Sequence, residues 1–180
     1  MDWKQLATWD EQSSTRLRFI EEEPSLRKTA IFLAHSADPW ISLALLLLLW
    51  YFSYGEWKQL ALVMFIGTLL TAGVVFVIKY SVRRSRPAGD WGQIYRRTNP
   101  HSFPSGHAAR CMMLTVIAFA LSPWWFGAVL CAWTVLVSLA RVGMGVHYLS
   151  DVLVGIAIGM VIGNITILPF LLNQILLYLT

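Results

Sequence analysis

Polar and apolar positions divide the chain of 180 residues into two regimes. Residues 1–38 mix charged side chains with scattered apolar ones. Pro24 and Ser25 suit a helix start, and Leu26, Ala30, Leu33 and Ala34 then recur at helical spacing. This pattern predicts one to three short interfacial amphipathic helices lying against a membrane. Five apolar stretches follow, at residues 40–54, 57–80, 108–121, 123–140 and 148–168. They predict an all-α polytopic membrane bundle of about five transmembrane helices. The first and third are short for a span; Asp38 and Pro39 precede the first, and Ser105 begins the third. Pro169 stands near the end of the fifth, followed by a further apolar tail. The chain thus reads as an interfacial segment at 1–38 and a membrane-embedded domain at 39–180, with one long polar loop at 81–106.

Aromatic residues order these stretches. Trp50, Tyr51, Tyr54 and Trp57 flank the first turn between spans, and Trp124 and Trp125 flank the turn between the third and fourth. Both sets fall on one membrane face, at the depth where aromatic belts form. The opposite face receives the N-terminal region, the loop at 81–104 and the loop at 141–147. Composition agrees: 57% of residues are hydrophobic and 13% charged, about half the charge of a soluble domain. The net charge of +4 contains no basic run of nucleic-acid type. Cys111 and Cys131 lie inside apolar runs without metal-ligand spacing, as small buried side chains do. No cationic start runs into an apolar core, so no cleavable leader is expected.

Nine of the ten acidic residues lie at or before Asp90, which leaves Asp151 alone in the second half. Around it, six ionisable residues converge at one depth: Lys79, Arg86, His107, Arg141, His147 and Asp151. Each alone has an ordinary reading, such as snorkelling for Lys79 and Arg86 or a favourable helix-start charge for Asp151. Their convergence from four spans points to function instead. Three cations suit a phosphate. Ser105 is a good N-cap and Gly106 permits close backbone approach, so the helix start after Pro104 would present N–H groups to an anion. One imidazole can attack phosphorus while the other serves the leaving oxygen. Asp151, four residues after His147, is placed to accept its ring N–H. No carboxylate cluster is left for Mg²⁺ or Zn²⁺, so the expected chemistry needs neither metal nor cofactor.

Lys79-x6-Arg86-Pro87, Pro104-Ser105-Gly106-His107 and Arg141-x5-His147-x3-Asp151 together resemble the three-part signature of the type 2 phosphatidic acid phosphatase superfamily. The motifs cover residues 79–151, and hydropathy extends the likeness to about 40–170. The resemblance implies a membrane lipid phosphatase that hydrolyses a phosphomonoester or pyrophosphate through a phosphohistidine. It implies His147 as nucleophile, Asp151 as its orienting partner, and His107 as general acid and then base. Lys79, Arg86, Ser105, Gly106 and Arg141 would bind the phosphate. The third motif usually begins Ser-Arg, whereas Ala140 precedes Arg141 here, and the N-terminal part looks shorter than in six-span members.

The implied substrates are phosphatidylglycerophosphate, phosphatidic acid and undecaprenyl pyrophosphate, with membrane lipids rather than nucleic acid as partners. The competing class is a non-enzymatic anion channel or transporter, which has no need of a paired His147 and Asp151. Family resemblance implies a bacterial plasma membrane and an active site facing outward. The charge distribution opposes this: besides Lys79, Arg86 and Arg141, ten of eleven Lys and Arg lie on or near the active-site face, with Lys58 alone opposite. Gly155, Gly159 and Gly163 continue the His147–Asp151 face at four-residue steps. Such a ridge suits packing within the bundle, or a dimer seam, the less favoured reading. Arg83, Arg84, Arg96 and Arg97 fit interfacial anchors, headgroup contacts or a second phosphate equally. Arg110 faces either the site or the headgroups. Trp91 and Tyr95 suit headgroup depth, and His101 either borders the site or is a loop residue without a role.

Overall fold

The structure, a computed structural model, describes residues 3–18, 20, 23–88 and 99–179. Among these, seven helices follow in chain order: α1 (Trp3–Arg16), α2 (Pro24–Ser36), α3 (Pro39–Phe52), α4 (Gly55–Val82), α5 (Gly106–Leu121), α6 (Trp124–Gly143) and α7 (Leu149–Leu179). The N-terminal region supplies α1 and α2, and each of the five apolar stretches supplies one further helix. Pro24 and Pro39 sit in the first turns of α2 and α3, where the missing N–H breaks no helical bond.

Three helices are long and apolar enough to cross a membrane: Gly55–Val82, Trp124–Gly143 and Leu149–Phe170. A fourth crossing arises if Ser25–Ser36 and Pro39–Phe52, bent by 59° at their break, count as one broken span. The fifth apolar stretch is α5, only 16 residues long, roughly 24 Å against a hydrocarbon core of about 30 Å. The count of about five is thereby refined. α5 can be short because it is the central helix, packed against α4, α6 and α7. Its Met113, Leu114 and Ile117 form a core with Leu46, Leu60, Met64 and Ile162. Exposed Leu45, Leu69, Phe76, Val135 and Val161 cover the outer faces of the surrounding helices, as lipid contact requires.

The α3–α4 and α5–α6 turns lie side by side, since the Trp57 and Phe126 rings meet edge to face at 5.5 Å. The other ends of α4, α5, α6 and α7 are therefore together too, at the level of the polar loops. The glycine ridge of α7 faces α5. A Cβ at Gly155 would lie 2.5 Å from the Ser105 carbonyl, one at Gly159 would overlap the Ala109 carbonyl, and one at Gly163 would meet Val116 at 2.8 Å. The ridge is thus packed within the chain, where small residues let two backbones approach.

Candidate active site

Four helix ends build the site, each by a local device. α4 ends at Arg83, in the left-handed region at φ 53°, and releases the chain sideways just past buried Lys79. The loop that follows is closed at its neck. Ser102 N–H donates to the Arg84 carbonyl at 2.8 Å, its hydroxyl donates to the Ser85 carbonyl at 3.1 Å, and Ser85 pairs with His101 in an isolated bridge. This neck brings Arg86 back over the bundle. Arg86 is 2% exposed and donates to the carbonyls of Asn99 at 2.8 Å and Val146 at 2.9 Å.

α5 begins where expected, with Ser105 as N-cap accepting from Ala108 N–H. Ser105 N–H donates to the Asp151 carbonyl at 2.9 Å, which ties the start of α5 to α7. α6 ends in a Schellman motif. Gly145, at φ 62°, donates to the Val142 carbonyl, and Val146 N–H donates to the Arg141 carbonyl at 3.2 Å. This turn folds His147 back against Arg141, whose Nη2 lies 3.5 Å from His147 Nε2. Arg86 Nη1 lies 3.4 Å from the same nitrogen. Guanidinium groups donate only, so Nε2 carries the lone pair and the neutral ring keeps its proton on Nδ1. Burial first, then the Arg141, Arg86 and Lys79 charges, hold the His147 pKa well below the usual histidine range.

Contrary to the expectation from their spacing, His147 and Asp151 do not lie on one helix. His147 precedes α7, which starts at Leu149, and the terminal turn sets its position. Nor is the expected hydrogen bond formed: His147 Nδ1 and Asp151 Oδ2 stand 3.6 Å apart, beyond bonding range. Asp151 is fully buried, and both its oxygens are engaged. Oδ2 accepts from Tyr148 N–H at 2.9 Å, the reciprocal arm of a capping box, and Oδ1 accepts from Arg84 Nη1 at 3.0 Å. His147 Nδ1 faces this carboxylate without a hydrogen bond of its own.

A cavity of about 480 Å³ is lined by Lys79, Arg86, Gly106, His107, Arg141 and His147, together with Asp38, Asn99 and Arg110. Its remaining wall comes from α3 and α4 and, apart from Thr71, is apolar, through Pro39, Trp40, Ala72, Val75 and Phe76. Six of the eight expected site residues therefore share one space, and Ser105 and Asp151 stand behind it. Four cations converge there, which suits an anion of more than one charge.

Several neighbours were not legible in the sequence. Lys79 Nζ reaches Asn99 Oδ1 at 3.4 Å. Arg110, open between site and headgroup, lines the cavity, is 5% exposed and donates to the Ala37 carbonyl at 2.6 Å. Asp38 Oδ1 lies 2.9 Å from His107 Nε2. Arg84 is not a headgroup anchor: it bridges Asp151 and Asp10 (2.7 Å) and stacks over the Tyr148 ring at 3.9 Å. Asp10 and Ser14 of α1 also cap α7 from outside, accepting from Ser150 N–H at 3.0 Å and Leu149 N–H at 2.8 Å. Arg83 is exposed and donates to the Tyr80 carbonyl. The His101 ring rests edge-on against Tyr80 at 5.4 Å and does not line the cavity. Ala140 is buried in an apolar cluster with Ala30 and Ala34 of α2, so the position that usually holds Ser serves helix packing here. Trp91, Tyr95, Arg96 and Arg97 lie outside the described residues.

The chain is similar to several known proteins. Over 147 residues the chain is 30% identical to decaprenylphosphoryl-5-phosphoribose phosphatase of Mycobacterium tuberculosis, covering 81% of each protein. It is 31% identical over 116 residues, 61% of the chain, to lipid A 1-phosphatase of Porphyromonas gingivalis, but spans 24% of that protein's length. Its fold matches the crystal structure of Aquifex aeolicus LpxE with a TM-score of 0.62 and 25% identity, over 85% of this chain and 93% of that one. A second fold match, at a TM-score of 0.68 and 22% identity over 90% of this chain and 84% of that one, is the first transmembrane PAP2 type phosphatidylglycerolphosphate phosphatase from Bacillus subtilis. Residues 57–173 match the family model of the PAP2 superfamily, and this integral membrane protein belongs to that superfamily.

Proposed function

We propose that the chain is a phosphoric ester hydrolase acting on the phosphate of a membrane lipid, with His147 as nucleophile. The observation that carries this reading is the cavity, where four cations and two imidazoles meet on one side and an apolar wall between α3 and α4 on the other. A phosphate fits the first and its lipid tail the second. Decaprenylphosphoryl-5-phosphoribose phosphatase and lipid A 1-phosphatase, both named for lipid phosphates, support the same class.

In the proposed reaction, Lys79, Arg86 and Arg141 hold the phosphoryl oxygens, and the N–H groups at the start of α5 add donors. His147 Nε2 attacks phosphorus as the bond to the leaving oxygen breaks, and His107 gives that oxygen a proton. Asp151 faces the Nδ1–H of the resulting cationic phosphohistidine. Water then attacks phosphorus, His107 takes its proton back, and the phosphorus–nitrogen bond breaks. The net change is one lipid phosphate and one water converted into lipid alcohol and inorganic phosphate. A lipid pyrophosphate follows the same course and yields lipid monophosphate. Phosphatidic acid, phosphatidylglycerophosphate, undecaprenyl pyrophosphate and decaprenylphosphoryl-5-phosphoribose form the test panel.

The experiment is phosphate release by detergent-solubilised protein, with EDTA present, across that panel. At least one lipid is expected to turn over, and His147→Ala is expected to lower the rate by a factor of about 10⁴ or more, as removing a nucleophile does. Turnover unchanged in that variant would refute the assignment, and absence of turnover on every lipid would favour an anion pathway.

A further inference from the structure

The break between α2 and α3 places a carboxylate where phosphate chemistry alone has no use for one. Asp38 lines the cavity, and among the described residues it is the sole carboxylate that does. Its Oδ1 lies 2.9 Å from His107 Nε2, and its Oδ2 lies 2.9 Å from Nδ1 of His35, an exposed residue. As a direct phosphate contact Asp38 would be repulsive. Both Asp38 and His35 also precede residues 57–173, the part that matches the family.

The surroundings of His107 supply a reason. Lys79, Arg86, Arg110 and Arg141 line the same cavity, and His107 stands at the N-terminus of α5. Four cations and the positive end of a helix all oppose a positive charge on its ring. Yet the proposed reaction needs a protonated His107 when the leaving oxygen departs. Asp38 is the counter-charge in contact with the ring, and Asp151 stands behind His147, on the far side of the nucleophile. We propose that Asp38 is a positioning residue for His107, which holds the ring through Nε2 and keeps it in the imidazolium form that donates to the leaving oxygen. This rests on the proposed phosphatase reading. Proton balance is unchanged: the proton that His107 gives to the leaving alkoxide returns from the attacking water, and Asp38 stays ionised throughout.

A structural staple and a positioning residue differ in leaving-group dependence. An alkyl phosphate departs as a basic alkoxide and needs the proton, whereas 4-nitrophenolate departs without one. The test measures kcat/KM, which covers steps up to departure of the leaving group, for full-length protein on dioctanoyl phosphatidic acid and on 4-nitrophenyl phosphate. Asp38→Asn is expected to lower the first by about 10²-fold or more, within the range of general acid catalysis, and the second by less than about threefold. Asp38→Glu is expected to restore part of the loss on the lipid. Equal losses on both substrates, or none on either, overturn the role of Asp38. His107→Asn separates this from failure of the parent reading. If that variant shows the leaving-group pattern and Asp38→Asn does not, the inference about Asp38 alone falls. If His107→Asn depresses both substrates equally, His107 is not the acid and both fall.

Discussion

At the residue scale, the surroundings of His147 suit the nucleophilic role proposed for it. Two guanidinium groups face Nε2, and a carboxylate faces Nδ1, so the ring presents a lone pair to the place where phosphorus would sit. Burial and the neighbouring cations depress its pKa, and the sign of the consequence is fixed. The neutral nucleophile persists as pH falls below the ordinary histidine value of about 6.5, and the loss of activity due to its protonation begins only at lower pH. In a profile of kcat/KM on 4-nitrophenyl phosphate, corrected for the fraction of substrate dianion, the acid limb is expected below pH 6.5. A midpoint at or above that value would contradict the environment described for His147. Asp10 illustrates the opposite balance. Burial raises its pKa, but hydrogen bonds from Ser150 and Arg84 outweigh it and hold the carboxyl below the usual range. Its contribution to stability is therefore present above the unfolded-state value and is lost as pH falls through the folded one.

At the element scale, the pairing of α5 with α7 carries the site, because Ser105 is bonded to the Asp151 carbonyl and the glycine ridge runs directly below. Gly159→Ala would push a methyl group into the Ala109 carbonyl and is expected to cost about 1–3 kcal/mol, as overpacking does. Gly73→Ala, in α4, meets nothing within 4 Å and is expected to be neutral or to stabilise by about 0.5–1 kcal/mol through helix propensity. Thermal unfolding of both variants in detergent checks the contrast, and equal effects would mean that the ridge is not a tight contact. The three motifs were legible because each lies in one short segment at the end of an apolar run, where a charge stands out. Asp38, Asp10, Arg84 and Asn99 were not. Asp38 reaches His107 across 69 positions and Asp10 reaches Ser150 across 140, through a helix break and a docked helix that hydrophobic periodicity does not register. The reverse error also has a local cause. Four-residue spacing suggested that His147 and Asp151 share a helix face, but Gly145 turns the chain before α7 begins.

At the scale of the whole molecule, the conflict between charge and orientation narrows. Of the ten Lys and Arg counted on the active-site face, Arg84 is held between Asp10 and Asp151, and Arg110 is buried in the site. Cations committed inside the fold say little about which face the finished protein presents. The outward-facing arrangement remains our proposal. Reporter fusions at residue 56 and after α7, both on the face opposite the site, are expected to read as cytoplasmic. An external readout from either would reverse the assignment. The cap that α1 places on α7 has a further consequence for the order of assembly. The ribosome delivers α1 well before α7. The first N–H groups of α7 and the Arg84 partner of Asp151 are all bound by Asp10 and Ser14, residues made some 140 positions earlier. The corner around Asp151 is thus completed by contact between two helices far apart in the chain, so a nascent chain halted before α7 already holds the cluster of cations and His147 but lacks Asp151, and the proposed site is assembled only when α7 docks against α1.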